Sequence, residues 1–107
     1  MKKEFVKSQE NKVLEGLILI KPEIHNDSRG LFFESWNKVN FKNLTGKNIN
    51  FVQDNHSSSN KNVLRGLHYQ IDPFAQGKLV RCSNGEILDI AVDIRQNSST
   101  FSQWAGI

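Results

Sequence analysis

The run Glu86-Ile87-Leu88-Asp89-Ile90-Ala91-Val92-Asp93-Ile94-Arg95 decides the fold class. Period-two alternation puts Leu88, Ile90, Val92 and Ile94 on one face of a strand, and Ile87, Asp89, Ala91 and Asp93 on the other. The first face reads as core. The second carries two carboxylates among small and apolar residues, as the half-polar inner wall of a barrel does. Working outward, residues 14–20, 31–36, 49–53, 62–70, 76–82 and 101–104 are further short runs rich in β-branched or aromatic residues. Polar or glycine-bearing turns such as Asn26-Asp27-Ser28-Arg29-Gly30 separate them. Many short strands at such spacing predict an all-β sandwich or barrel.

Only residues 37–46 read differently. Val39, Phe41 and Leu44 can share a broad helical face, and Gly46 is a suitable stop, which predicts one short helix. The first twelve residues are polar and are expected to fray. A closed barrel of this type takes about eight strands; the chain offers about seven and runs out just after the last. The expectation is one domain over residues 1–107, incomplete at its C-terminus.

Composition narrows the function classes. The chain has 107 residues, 37% of them hydrophobic, and a formal net charge of +3, which is ordinary for one globular domain. Lysines and arginines are scattered and form no stripe, so a nucleic-acid partner is not expected. No apolar run approaches the ~18 residues of a membrane span, and no signal peptide is visible. One cysteine, Cys82, rules out an internal disulfide framework and fits a reducing, cytoplasmic compartment. Its place in a strand-like run reads as a small buried hydrophobe.

The chemistry concentrates in Val63-Leu64-Arg65-Gly66-Leu67-His68-Tyr69-Gln70 and, shortly after, Gln76-Gly77-Lys78-Leu79-Val80-Arg81. A guanidinium, an imidazole and an ammonium lie close together on segments that otherwise read as strand. Burying such cations is costly unless something polar or anionic answers them, so they suggest an anion pocket with a titratable base beside it. In a regular strand Arg65 and His68, three apart, would face opposite ways; Gly66 between them could mark a bulge that reconciles them. A metal at His68 would favour a second histidine two residues on, and that position is Gln70, a poor ligand, so no metal is expected. Asn55-His56-Ser57 matches a glycosylation sequon, which has no meaning in a cytoplasmic chain.

Four segments together resemble one family: Asp27 to Trp36, Phe51 to Ser57, Asn62 to Gln70, and Gln76 through Asp93-Ile94-Arg95 to Trp104. In this order and spacing they look like the dTDP-4-dehydrorhamnose 3,5-epimerases of the rhamnose pathway, over about residues 14 to 107. The resemblance implies a cupin-like jelly-roll barrel, a homodimer, a dTDP-sugar substrate and no cofactor. It implies that His68 is the general base and that Lys78 belongs to the active site, where its charge would answer an enolate oxygen. It assigns Arg65 to ligand binding, for which a guanidinium fork suits a diphosphate. Arg29, Glu34, Gln53, Asp54 and Asn55 match positions that hold the nucleotide.

The family's general acid is a tyrosine from its second half. The single tyrosine here, Tyr69, lies inside the His68 motif and does not correspond to it. Two functions therefore compete: a cofactor-independent 3,5-epimerase acting through enolates, and a dTDP-sugar-binding module that lacks the acid. A metal-dependent dioxygenase barrel is a third class, disfavoured by Gln70.

Overall fold

The computed structural model describes residues 1–107 as six strands and one helix. By contacts it divides into two units, Met1–Asn50 with Leu88–Ile107, and Phe51–Ile87. All regular structure belongs to the first. The expected mixture of strands with one short helix is present, but the strands form three separate antiparallel hairpins and no barrel closes.

Strand β1 (Lys2–Lys7) pairs with β2 (Val13–Lys21), running from Lys2 opposite Lys21 to Lys7 opposite Val13. The expected frayed terminus is thus a strand. Its few apolar residues suffice because β2 supplies the ladder and Val6 a buried side chain. The register slips between Phe5 and Lys7, where β2 carries extra residues. Gly16, at φ +87°, lies in that stretch. A left-handed glycine at a bulge resets the alternation, so Leu14 and Leu17, three apart, join the same cluster. That cluster is Val6, Leu14 and Ala105, with Leu17 and Leu19 packed against it.

Strands β3 (His25–Asp27) and β4 (Gly30–Phe32) make a tight hairpin around Ser28 and Arg29. Helix α1 (Lys38–Thr45) follows, and local chemistry accounts for both of its ends. Asn37 caps it: the side-chain Oδ1 accepts from the amides of Val39 and Asn40, each at 3.0 Å. Gly46 ends it in the left-handed region at φ +74°, donating its amide to the Lys42 carbonyl at 2.8 Å. Trp36 just before the cap packs on Phe41 one turn in, ring centroids 4.9 Å apart, as a hydrophobic staple. Phe41 is the buried residue of the helix. Val39, predicted on its apolar face, is exposed, because it lies about 200° round the helix from Phe41.

Strands β5 (Ile90–Val92) and β6 (Trp104–Gly106) form the third hairpin, lengthened by amide–carbonyl pairs between Asp89 and Ile107 and from Asp93 to Gln103. The burial of this segment reverses the expectation. Leu88 is 72% exposed and Ile94 50%, whereas Asp93 is only 7% exposed. No second sheet covers the apolar face, while the turn at 95–101 folds over the carboxylate. Strands predicted at 49–53, 62–70 and 76–82 are not formed either. β-propensity describes fitness for a pleated, half-buried surface, and these runs have no ladder partner within the chain. Cys82, predicted to be buried, is exposed for the same reason; its thiol donates to the Asn84 carbonyl at 3.3 Å.

Candidate active site

The predicted site residues divide between the two units. Gln53, Asp54, Asn55, Arg65, His68 and Lys78 all belong to Phe51–Ile87, and Arg29 and Glu34 to the other unit. Every one of them is exposed.

Within Phe51–Ile87 the 65–68 stretch is not a regular strand. Gly66 sits at φ +131°, a conformation closed to most side chains, and a Cβ there would lie 3.7 Å from His68 Nδ1. The alternation that would set Arg65 and His68 on opposite faces therefore does not operate here. Arg65 is held: its Nε donates to Ser59 Oγ at 2.8 Å and an Nη to the Ser58 carbonyl at 3.0 Å. The guanidinium is thereby laid along the 58–59 loop, on two uncharged acceptors that an anionic phosphate oxygen would outcompete. Gln53 donates its amide to Asn55 Oδ1 at 3.1 Å, which ties together two of the five residues expected to hold the nucleotide. His68 and Lys78 make no hydrogen bond or ion pair within the chain, so imidazole and ammonium are both available to a ligand.

In the other unit Arg29 tops the β3–β4 hairpin. Asp27 accepts from the Arg29 amide at 2.8 Å and from its guanidinium at 3.1 and 2.6 Å. The guanidinium holds the Asp27 carboxyl below its usual range, and the carboxylate raises Arg29 in return. The pair borders an open concavity of about 440 Å³, with Leu31 and Phe32 as apolar wall and Asn26 as a further polar group. An anion entering there meets Arg29 with its charge partly answered. Glu34 turns to the helix start instead: its carboxylate accepts from the side-chain amides of Asn37 at 3.0 Å and Asn40 at 2.6 Å.

The strongest electrostatic constellation was missed as a unit by sequence reasoning. Asp93, its side chain 2% accessible, accepts from the Arg95 guanidinium at 2.8 Å through both oxygens. Ser98 Oγ and Thr100 Oγ1 each donate to it at 2.6 Å, and the Arg95 amide at 3.1 Å. The guanidinium above all, then the two hydroxyls and the amide, hold this carboxyl far below the carboxylate range against the opposing effect of burial. With no lone pair left for a ligand it organises the β5–β6 hairpin. The signal in the sequence was Asp-x-Arg followed by a Ser/Thr turn.

No three His, Cys, Asp or Glu side chains converge to hold a metal, and no helix is long and apolar enough to cross a membrane.

Comparison with known proteins gives a consistent result. The family model described as dTDP-4-dehydrorhamnose 3,5-epimerase matches residues 11–107. The enzyme of that name from Salmonella typhimurium is 56% identical over 91 residues, covering 85% of this chain and 50% of its own length. That from Escherichia coli is 50% identical over 94 residues, covering 88% and 51%. Among solved structures, the crystal structure of dTDP-4-dehydrorhamnose 3,5-epimerase from Elizabethkingia anophelis has a TM-score of 0.83 at 44% identity, covering all of this chain and 56% of that one. The chain spans about half the length of the curated relatives it matches.

Proposed function

The chain belongs to the dTDP-4-dehydrorhamnose 3,5-epimerase family, and from that premise we propose that it carries the base-side half of such an enzyme. The observation that carries the proposal is the family match over residues 11–107, a range that includes both cationic motifs. In this reading the chain is one part of a cupin-like jelly roll that works in the cytoplasm as a homodimer.

The substrate is dTDP-4-dehydro-6-deoxy-glucose. Its 4-keto group acidifies the C–H bonds at carbons 3 and 5, so no redox cofactor is required. His68 takes the proton from each carbon in turn, a general-base role that imidazole side chains commonly fill. The bonding pair moves onto the ketone oxygen as an enolate, and the Lys78 ammonium answers the charge. Return of a proton to the opposite face inverts the carbon and gives dTDP-4-dehydro-L-rhamnose. That proton comes from an acid outside these residues, since Tyr69 neighbours the base. Arg65 suits the diphosphate, and Arg29, Glu34, Gln53, Asp54 and Asn55 match positions that hold the nucleotide. What supports these roles is the availability of His68 and Lys78 and the light, exposed tethering of Arg65.

The test is a fusion of residues 1–107 to the half of the Salmonella relative that the chain does not cover. In deuterated solvent the fusion should incorporate deuterium at carbons 3 and 5 and form the epimerised sugar. No exchange at either carbon would refute the assignment. Exchange without product in the 107-residue chain alone would favour the second reading, a dTDP-sugar-binding module without its acid, which the single tyrosine supports.

A further inference from the structure

Among the asparagines of this chain, Asn84 is the one that a glycine follows. The pair forms a bend outside any strand or helix, and both residues are exposed. Gly85 stands at φ +79°, with nothing within 4 Å of where a Cβ would lie. Its amide donates no hydrogen bond, and the Asn84 side chain makes none. Other asparagines are more committed. The amides that follow Asn11, Asn62 and Asn97 donate to Ser8 Oγ, the Asn60 carbonyl and the Arg95 carbonyl. Asn37 and Asn40 spend their side chains around the start of α1. One contact on the Asn84–Gly85 peptide is chemically directed: the Cys82 thiol donates to the Asn84 carbonyl oxygen at 3.3 Å. A hydrogen bond to that oxygen favours the anion left when the Gly85 nitrogen loses its proton.

We propose that Asn84-Gly85 is a self-modifying site that converts to aspartate and isoaspartate. The deprotonated Gly85 nitrogen attacks Asn84 Cγ, and the new N–Cγ bond closes a succinimide ring. The Cγ–Nδ2 bond breaks, and its nitrogen leaves as ammonia with the proton that the Gly85 amide gave up. Water then opens the ring. Attack at Cγ restores the main chain with an aspartate in place of Asn84. Attack at the main-chain carbonyl carbon leaves the chain running through Cγ, as isoaspartate. Water is the only co-reactant, and no bond is oxidised or reduced. Glycine suits the step because no side chain shields its nitrogen, and the Cys82 thiol assists through the same peptide group. Either product puts a carboxylate where a neutral amide stood and lowers the formal net charge of +3 by one. Isoaspartate also lengthens the main chain by a methylene in the turn that follows Lys78 and Arg81. The site is independent of any sugar-nucleotide activity.

The 107-residue chain, kept near neutral pH and sampled over time, provides the test by tryptic mapping and mass spectrometry. The peptide Cys82–Arg95, in which Asn84 is the sole asparagine, should gain one mass unit before any other asparagine-bearing peptide does. An isoaspartyl methyltransferase supplied with S-adenosylmethionine should label the same peptide, and conversion should quicken as pH rises. Gly85→Ala should slow it about tenfold, a barrier higher by about 1.4 kcal/mol. Asn84→Gln should stop it, because the longer side chain closes a less favourable ring. Cys82→Ala should slow it about twofold, as expected for a weak S–H donor, and Cys82→Ser should restore the rate. All three positions are exposed, so loss of folding does not enter. An unchanged mass in Cys82–Arg95, or a Gly85→Ala rate equal to the parent's, would overturn the proposal. Equal rates in the parent and Cys82→Ala would overturn the thiol's part in it.

Discussion

Met1–Asn50 with Leu88–Ile107 and the segment Phe51–Ile87 differ in almost every physical respect. The first holds the three hairpins, the helix with its caps, the Val6–Leu14–Ala105 cluster and the Asp93 network. The second has neither strand nor helix and no buried residue, yet it carries both cationic motifs. Self-supporting structure and most of the candidate site residues are thus separated along the chain. The stability of the one and the chemistry of the other should respond to different substitutions.

The largest effect belongs to the chemical side. His68→Ala in the fusion should lower proton exchange by ~10²–10⁴, the usual contribution of a general base. The same change should leave the melting of the 107-residue chain where it was, because the imidazole contacts nothing that supports the fold. A large shift in melting would break the comparison. On the structural side Leu14→Ala, at a residue 3% exposed, should cost about 2–5 kcal/mol in denaturant unfolding. Arg65→Ala should return the contrast to ligand: dTDP affinity measured by calorimetry should fall ~10-fold or more with stability unchanged.

Asp93→Asn should destabilise by about 1–3 kcal/mol, since it leaves buried hydroxyl and guanidinium donors poorly matched. Its pH dependence has a definite sign. The folded carboxyl is depressed below its unfolded value of about 3.9, so its stabilisation is fully present above that value and is lost as pH falls further. Acid unfolding followed by tryptophan fluorescence should therefore be steeper in the parent than in the variant below about pH 4. Smallest, Asn37→Ala should cost ~1 kcal/mol through the lost helix cap, seen as a modest drop in melting temperature with no effect on ligand affinity.

What could be read from sequence followed the range of the interaction. Helix α1 was legible to its ends, because Asn37 and Gly46 act within a turn of where they stand. The turn at 26–30 was legible from its residues, but the strand His25–Asp27 was not, and of the strand expected at 31–36 only Leu31 and Phe32 are formed. Strand β1 was not, since Lys2–Lys7 has weak propensity and is a strand only by virtue of β2. The opposite error arose at 62–70 and 76–82, where propensity is strong and no partner lies within the chain. For the 86–95 run alternation identified the two faces, but which face is buried depends on what covers it. Asp93 was covered and Leu88 was not. In the site, residue types and spacing singled out Arg65, His68 and Lys78. That Asp27 engages Arg29, and Ser58 and Ser59 engage Arg65, depended on turn geometry that spacing does not encode.

The link between the two ends of the chain has a temporal consequence. Ser8 Oγ donates to Gln103 Oε1 at 2.6 Å, Gln103 reaches back to Glu10 at 2.7 Å, and Gln9 bonds the Trp104 backbone in both directions. Val6 and Leu14 are buried by Ala105 in the same place. On a ribosome the β1–β2 hairpin emerges before Gln103–Ala105, and at roughly 5–20 residues per second this cover follows on the order of ten seconds later. Hairpins close in microseconds but are marginal in isolation, so for nearly all of that interval the nascent β1–β2 segment opens and closes with its apolar side uncovered. Synthesis speed, rather than any barrier in the chain itself, then sets how long that side is offered to chaperones and to neighbouring nascent chains.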